Sequence, residues 1–183
     1  MKKIVFIICL MRFSNNCFCQ NNSISIDSKI TSEGKFESSK AIAESFLKSV
    51  LIKNADNFSD YYNVAIFCAL ITEEIADSIP ENKIHKEDLC KEEVLSEIFT
   101  STIKFKRNQF FSKNEIDVSN IKVINFRQEK INSAHTSKYK FDQYVLYLKF
   151  QNISNKKTYE LNIFDVYHIN YKWFILDPSF EIL

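Results

Sequence analysis

Glycine is almost missing from this chain: 183 residues contain one, Gly34, alongside two prolines. Phosphate-cradling loops, dinucleotide fingerprints and nucleophile elbows all need glycine for positive φ or close backbone approach. A P-loop, a Rossmann cofactor site and an α/β-hydrolase serine are therefore excluded together. Turns must be made by Asn, Asp, Ser and Lys. Charge of one sign is also missing, with 24 basic against 23 acidic residues. Lys104, Lys106, Arg107 and Lys113 follow an acidic stretch through Glu87, Asp88, Glu92, Glu93 and Glu97. This pattern reads as a solvated mixed-charge helix and gives no concentrated footprint for nucleic acid. The three histidines, His85, His135 and His168, share no helical or strand spacing with one another or with cysteine, so no metal site and no cofactor is expected.

What is present begins with a leader pattern. Met1-Lys2-Lys3, the apolar run Ile4 to Met11 and a small-residue exit at Cys17-Phe18-Cys19 before Gln20 have the three regions of a signal peptide, and the run is too short to span a bilayer. Residues 1–19 are expected to be removed near Cys19/Gln20, leaving a secreted or periplasmic protein with no transmembrane segment. Cys9, Cys17 and Cys19 lack the preceding small residues of a lipid attachment site. Loss of Lys2, Lys3 and Arg12 turns the net charge of +1 slightly negative. Cys68 and Cys90 then remain, either as one disulfide in an oxidising compartment or, given the apolar run from Val64 to Ile71, with Cys68 as a buried thiol.

Residues 20–37 are polar and aperiodic and read as a flexible tether, followed by a single α+β domain over 38–183. Apolar residues at helical spacing predict three helices. The first runs from Ser38 to Lys53 with Ile42, Phe46, Leu47, Val50 and Leu51 on its buried face. The second carries Phe58, Tyr61, Tyr62, Ile66 and Leu70 and ends before Pro80. The third, from about Glu87 to Arg107, buries Leu95, Phe99, Ile103 and Phe105. Beyond Phe111 the period falls from near 3.6 to 2, predicting strands at Ile121 to Gln128, Gln143 to Gln151, Thr158 to Asn170 and Tyr171 to Asp177. Short connections make the last three antiparallel neighbours. The fold class is α+β, with N-terminal helices packed on a curved antiparallel β-sheet.

Helices ahead of such a sheet, closing on Tyr171-Lys172-Trp173-Phe174-Ile175-Leu176-Asp177, resemble the nuclear transport factor two-like, or cystatin-like, cone fold, in particular its small exported bacterial members. The resemblance spans roughly Ser38 to Leu183 and rests on element order and the final aromatic pair. It implies a shape shared by isomerases, dehydratases and binding adaptors.

Candidate chemistry lies along the third strand. Leu161 and Ile163 set a parity that carries Asp165 inward, where a carboxylate could act as a general base. The competing reading is a β-bulge: Phe164 and Val166 are both apolar, and an extra residue there turns Asp165 outward. Tyr147, Tyr167 and His168 are the candidate donors, and Trp173 joins them as a ligand-lining candidate. His168 lies three residues from Asp165, on the opposite face of a regular strand. Ser45-Phe46-Leu47-Lys48 has the serine and lysine spacing of penicillin-recognising enzymes without their companion motifs and is read as helix core. The strands are partly apolar on both faces, which points to a protein partner or a second copy through the sheet face. The function expected is an exported non-enzymatic binding module for a protein or small apolar ligand. The alternative is an acid/base isomerase or dehydratase-like enzyme with Asp165 as base.

Overall fold

A computed structural model describes residues 34–52, 58–75, 90–135 and 140–183, apart from the side chains of 71–75, 134 and 135. The leader, most of the expected tether, His85 and Pro80 lie outside the described residues. Helices α1 (Ser39–Leu51), α2 (Val64–Ile75) and α3 (Glu92–Phe111) precede strands β1 (Ile121–His135), β2 (Lys140–Asn152), β3 (Thr158–Ile169), β4 (Lys172–Ile175) and β5 (Phe180–Ile182). The sheet runs β1-β2-β3-β4, antiparallel throughout, and β5 pairs with β3 alongside β4. The architecture is α+β with helices on one face of an open sheet.

Apolar periodicity explains the layers. Leu146, Leu148 and Phe150 of β2 and Leu161, Ile163 and Val166 of β3 are fully buried against Ile42, Phe46, Leu51, Phe99 and Ile103 of the helices. Ser38 caps α1 by accepting from the Ala41 amide. Tyr61, in a short turn of helix over Ser59–Tyr61, sits at the junction of the layers. Its hydroxyl meets Ser45 Oγ at 2.9 Å and Ser49 Oγ at 2.7 Å, and its ring contacts Phe36, Phe46 and Phe58. The Ser45 hydroxyl of the serine–lysine spacing is thus taken up by core packing.

Three residues of α3 depart from the expected helix faces. Arg107 is only 5% exposed and donates from Nη1 to the Ile52 carbonyl at 2.8 Å, tying α3 to the end of α1. Lys106 reaches the Phe180 carbonyl at 2.7 Å and lies over the Phe180 ring. The basic run is therefore half structural, because long aliphatic stems let charged residues enter a layer when a carbonyl awaits their heads. Phe105, expected in the buried stripe, is 69% exposed. A disulfide joins Cys68 of α2 to Cys90, just before α3, with the Cα atoms 5.4 Å apart.

The folded part begins ahead of Ser38. Phe36, placed in the expected tether, is buried, and its carbonyl accepts from the Trp173 amide at 3.0 Å, forming a bridge on the free edge of β4. Gly34 lies beside it. A Cβ at this position would stand 2.7 Å from both Lys172 Cβ and Phe174 Cζ. The chain thus places its one glycine where backbone must lie flat on the sheet, and forces Lys156, Asp165, Asn170 and Tyr171 into positive φ with side chains attached. Asn170 (φ 48°) and Tyr171 (φ 67°) make the two-residue turn between β3 and β4, a site that ordinarily favours Asn-Gly.

Opposite effects follow from adding and removing a side chain at these positions. Gly34→Ala should lower stability by about 1 to 3 kcal/mol through overpacking. Tyr171→Gly, at an exposed left-handed position, should raise it by about 1 kcal/mol. Urea unfolding checks both, and an unchanged Gly34→Ala midpoint would contradict the close approach.

Candidate functional site

β3 decides where the candidate residues point. Tyr144 pairs with Val166 and Leu146 with Ile163, so two residues, Phe164 and Asp165, stand opposite the single Val145. This is a bulge, with Asp165 in the left-handed region at φ 54°. The Phe164 amide donates to the Ser179 carbonyl at 2.9 Å, so the bulged segment is held from the β5 side as well. Of the two readings of this strand the register shows the bulge: the extra residue resets the phase, Asp165 does not point inward, and Val166 takes the core position, 0% exposed. Asp165 instead accepts from Gln143 Nε2 at 2.7 Å. Gln143 shares its face with Val145 and Tyr147, opposite to Leu146 and Leu148.

The five candidates therefore divide between two faces. On the outer face, Arg127 Cζ lies 3.4 Å from the centroid of the Tyr147 ring, and the Tyr147 hydroxyl donates to Glu129 Oε2 at 3.2 Å. Burial, followed by the Glu129 bond, raises the Tyr147 pKa above the ordinary phenol value, so the hydroxyl stays a donor. Arg127 and Glu129 are themselves 3.8 Å apart. Further along the same face, Tyr167 packs against Phe141, with centroids 5.7 Å apart.

His168 and Trp173 lie on the helix-side face. Register places Ser133, Asp142, His168 and Trp173 in one row across β1 to β4. The His168 ring stacks on Trp173 with centroids 4.6 Å apart, and Tyr144 closes on the same indole at 4.9 Å. Lys130 Nζ and Ser133 Oγ each reach Asp142 Oδ1 at 2.8 Å. Lys130, then Ser133, and more weakly the charge of His168, hold the Asp142 carboxyl below its ordinary range. Asp165 and His168 stand on opposite faces, while the other two candidate donors, Tyr147 and Tyr167, share the outer face with Asp165.

Sequence reasoning missed Asp142, Lys130, Gln143 and Arg127. Counting antiparallel register back from the Asn152 to Lys157 loop sets Phe141 opposite His168, and only the extra residue at the bulge brings Asp142 there. Arg127 had no signal either, because its ring partner depends on a cross-strand pairing. Among the described residues no group of three His, Cys, Asp or Glu could hold a metal ion, and no helix is long and apolar enough to cross a membrane. No family model matches the chain, and neither the curated proteins nor the solved structures give a match.

The Asp142 contacts have a defined pH dependence. Its folded-state pKa lies below the unfolded value near 3.8, so the contacts contribute stability above that pH and lose it as pH falls through the depressed value. Asp142→Asn should remove this part of the acid slope. Urea unfolding at a series of pH values below 5 checks it, and a slope identical to that of the parent would contradict the assignment.

Proposed function

We propose that the chain is an exported binding module that takes a protein partner on the outer face of its sheet. One observation carries the reading: α1 and α3 pack on the opposite face, while the outer face holds Tyr147 between Arg127 and Glu129, beside the Gln143–Asp165 pair and Tyr167. Aromatic rings with polar tips, pre-oriented by neighbouring charges, give a partner apolar area at small entropic cost. Export is inferred from the leader pattern of residues 1–19 and supported by the Cys68–Cys90 disulfide, which suits a secreted or periplasmic setting. Membership in the nuclear transport factor two-like group is inferred from the order of elements and the bulged antiparallel sheet alone. The isomerase or dehydratase reading draws no support from the separated Asp165 and His168.

A photo-crosslinking side chain placed at Lys149 on the outer face, in the producing cells, should give a discrete adduct. The same group at Asn108, on the exposed side of α3, should not, and Arg127→Ala should remove the adduct from the Lys149 probe. Equal labelling from both positions, or an adduct indifferent to Arg127→Ala, would contradict the outer-face site.

A further inference from the structure

The sheet has two kinds of edge. The β3–β4 side is covered: β5 pairs with Leu161 to Ile163, β4 with Val166 to Ile169, and Phe36 bridges β4 in turn. The other edge is β1, 15 residues long, paired only with β2 among the described residues. Its side chains from Arg127 to Ser133 are all exposed. A strand of this length with an open row of backbone donors and acceptors is a template for another strand. Register shifts at Ile124 and Ile131 bracket one regular run, Asn125 to Lys130, and leave both isoleucines exposed, at 45% and 57%.

We propose that this edge pairs with the same edge of a second copy, antiparallel and centred on Gln128, to make one continuous sheet across a dimer. The charge pattern selects the register. A two-fold axis perpendicular to the sheet keeps every side chain on its own face, so residues that meet must be an even number apart. Centring on Arg127, Glu129 or Lys130 sets that charge against itself, and centring on Phe126 sets Arg127 against Asn125. Centring on Gln128 sets Arg127 of each copy against Glu129 of the other, twice, on the outer face. Opposite charges directly across a strand pair favour it and like charges oppose it. Arg127 and Glu129 are already oriented by Tyr147, which limits the ordering cost. The dimer needs no partner on the outer face, since strand pairing uses the backbone edge, although Arg127 and Glu129 border both surfaces.

Sedimentation equilibrium of the chain at concentrations up to millimolar tests it. A dimer is expected. Arg127→Glu alone and Glu129→Arg alone should each weaken it about tenfold or more, and the two together should restore it. A strict monomer, a dimer indifferent to either reversal, or one not restored by the double reversal would overturn the proposal. If a reversal impairs folding, Gln128→Cys, which lies on the axis, should cross-link to itself on oxidation. Cross-linking no greater than that of Asn108→Cys would equally overturn it.

Discussion

The left-handed backbone at Asp165 (φ 54°) sets the phase of everything on either side of it in β3. Without the extra residue, a strand that buries Leu161 and Ile163 would bury Asp165 and expose Val166. With it, Leu161, Ile163 and Val166 all reach the helices, and the carboxylate moves to the outer face against Gln143. The bulge also divides the free edge of β3. Residues before it pair with β5 and residues after it with β4, so the tail returns and Phe180 sits edge-on to Phe46 of α1. One non-glycine residue held at positive φ costs on the order of 1 kcal/mol. The core burial it permits is several times larger, since each fully buried Leu, Ile or Val contributes about 1.5 to 3 kcal/mol.

The same economy of glycine shapes the remaining architecture. The one glycine is used where the strap ahead of α1 meets Phe174 and Lys172, and turns are made with Asn, Lys and Tyr instead. The layers are then tied by polar groups reaching into them: the Tyr61 hydroxyl between two serines of α1, and the Arg107 guanidinium on the last carbonyl of the same helix region. Such bonds contribute modestly when made and cost more when broken, because the buried partner is left without water. They fix how α1, α3 and the turn at Ser59–Tyr61 sit over the sheet, and leave the opposite face for other contacts.

Much of this was legible in the chain itself. The change of period after Phe111 marks the end of the helices, and consecutive apolar residues around Asp165 mark the bulge as one of two readings. The choice between them needed β2, since a phase reset is visible only against a partner strand. The burial of Arg107 was not legible, because a cation among cations reads as solvated until a helix end with an orphan carbonyl is placed beside it. Phe36 was hidden by its polar neighbours, and its role depends on the free edge of β4, more than a hundred residues away. The candidate residues all lie on strands of the sheet, and their division between two faces follows from register and from the bulge.

The most direct test of this account is the unfolding midpoint of Asp165→Gly beside that of Asp165→Val. If the bulge holds Asp165 at positive φ on the outer face, glycine relieves strain and melts near or above the parent, while β-branched valine cannot take the left-handed position and melts well below it. If the strand is regular and Asp165 points into the core, the order inverts: valine stabilises by replacing a buried acid, glycine destabilises, and the Gln143–Asp165 pair is lost from the outer face on which the functional reading rests.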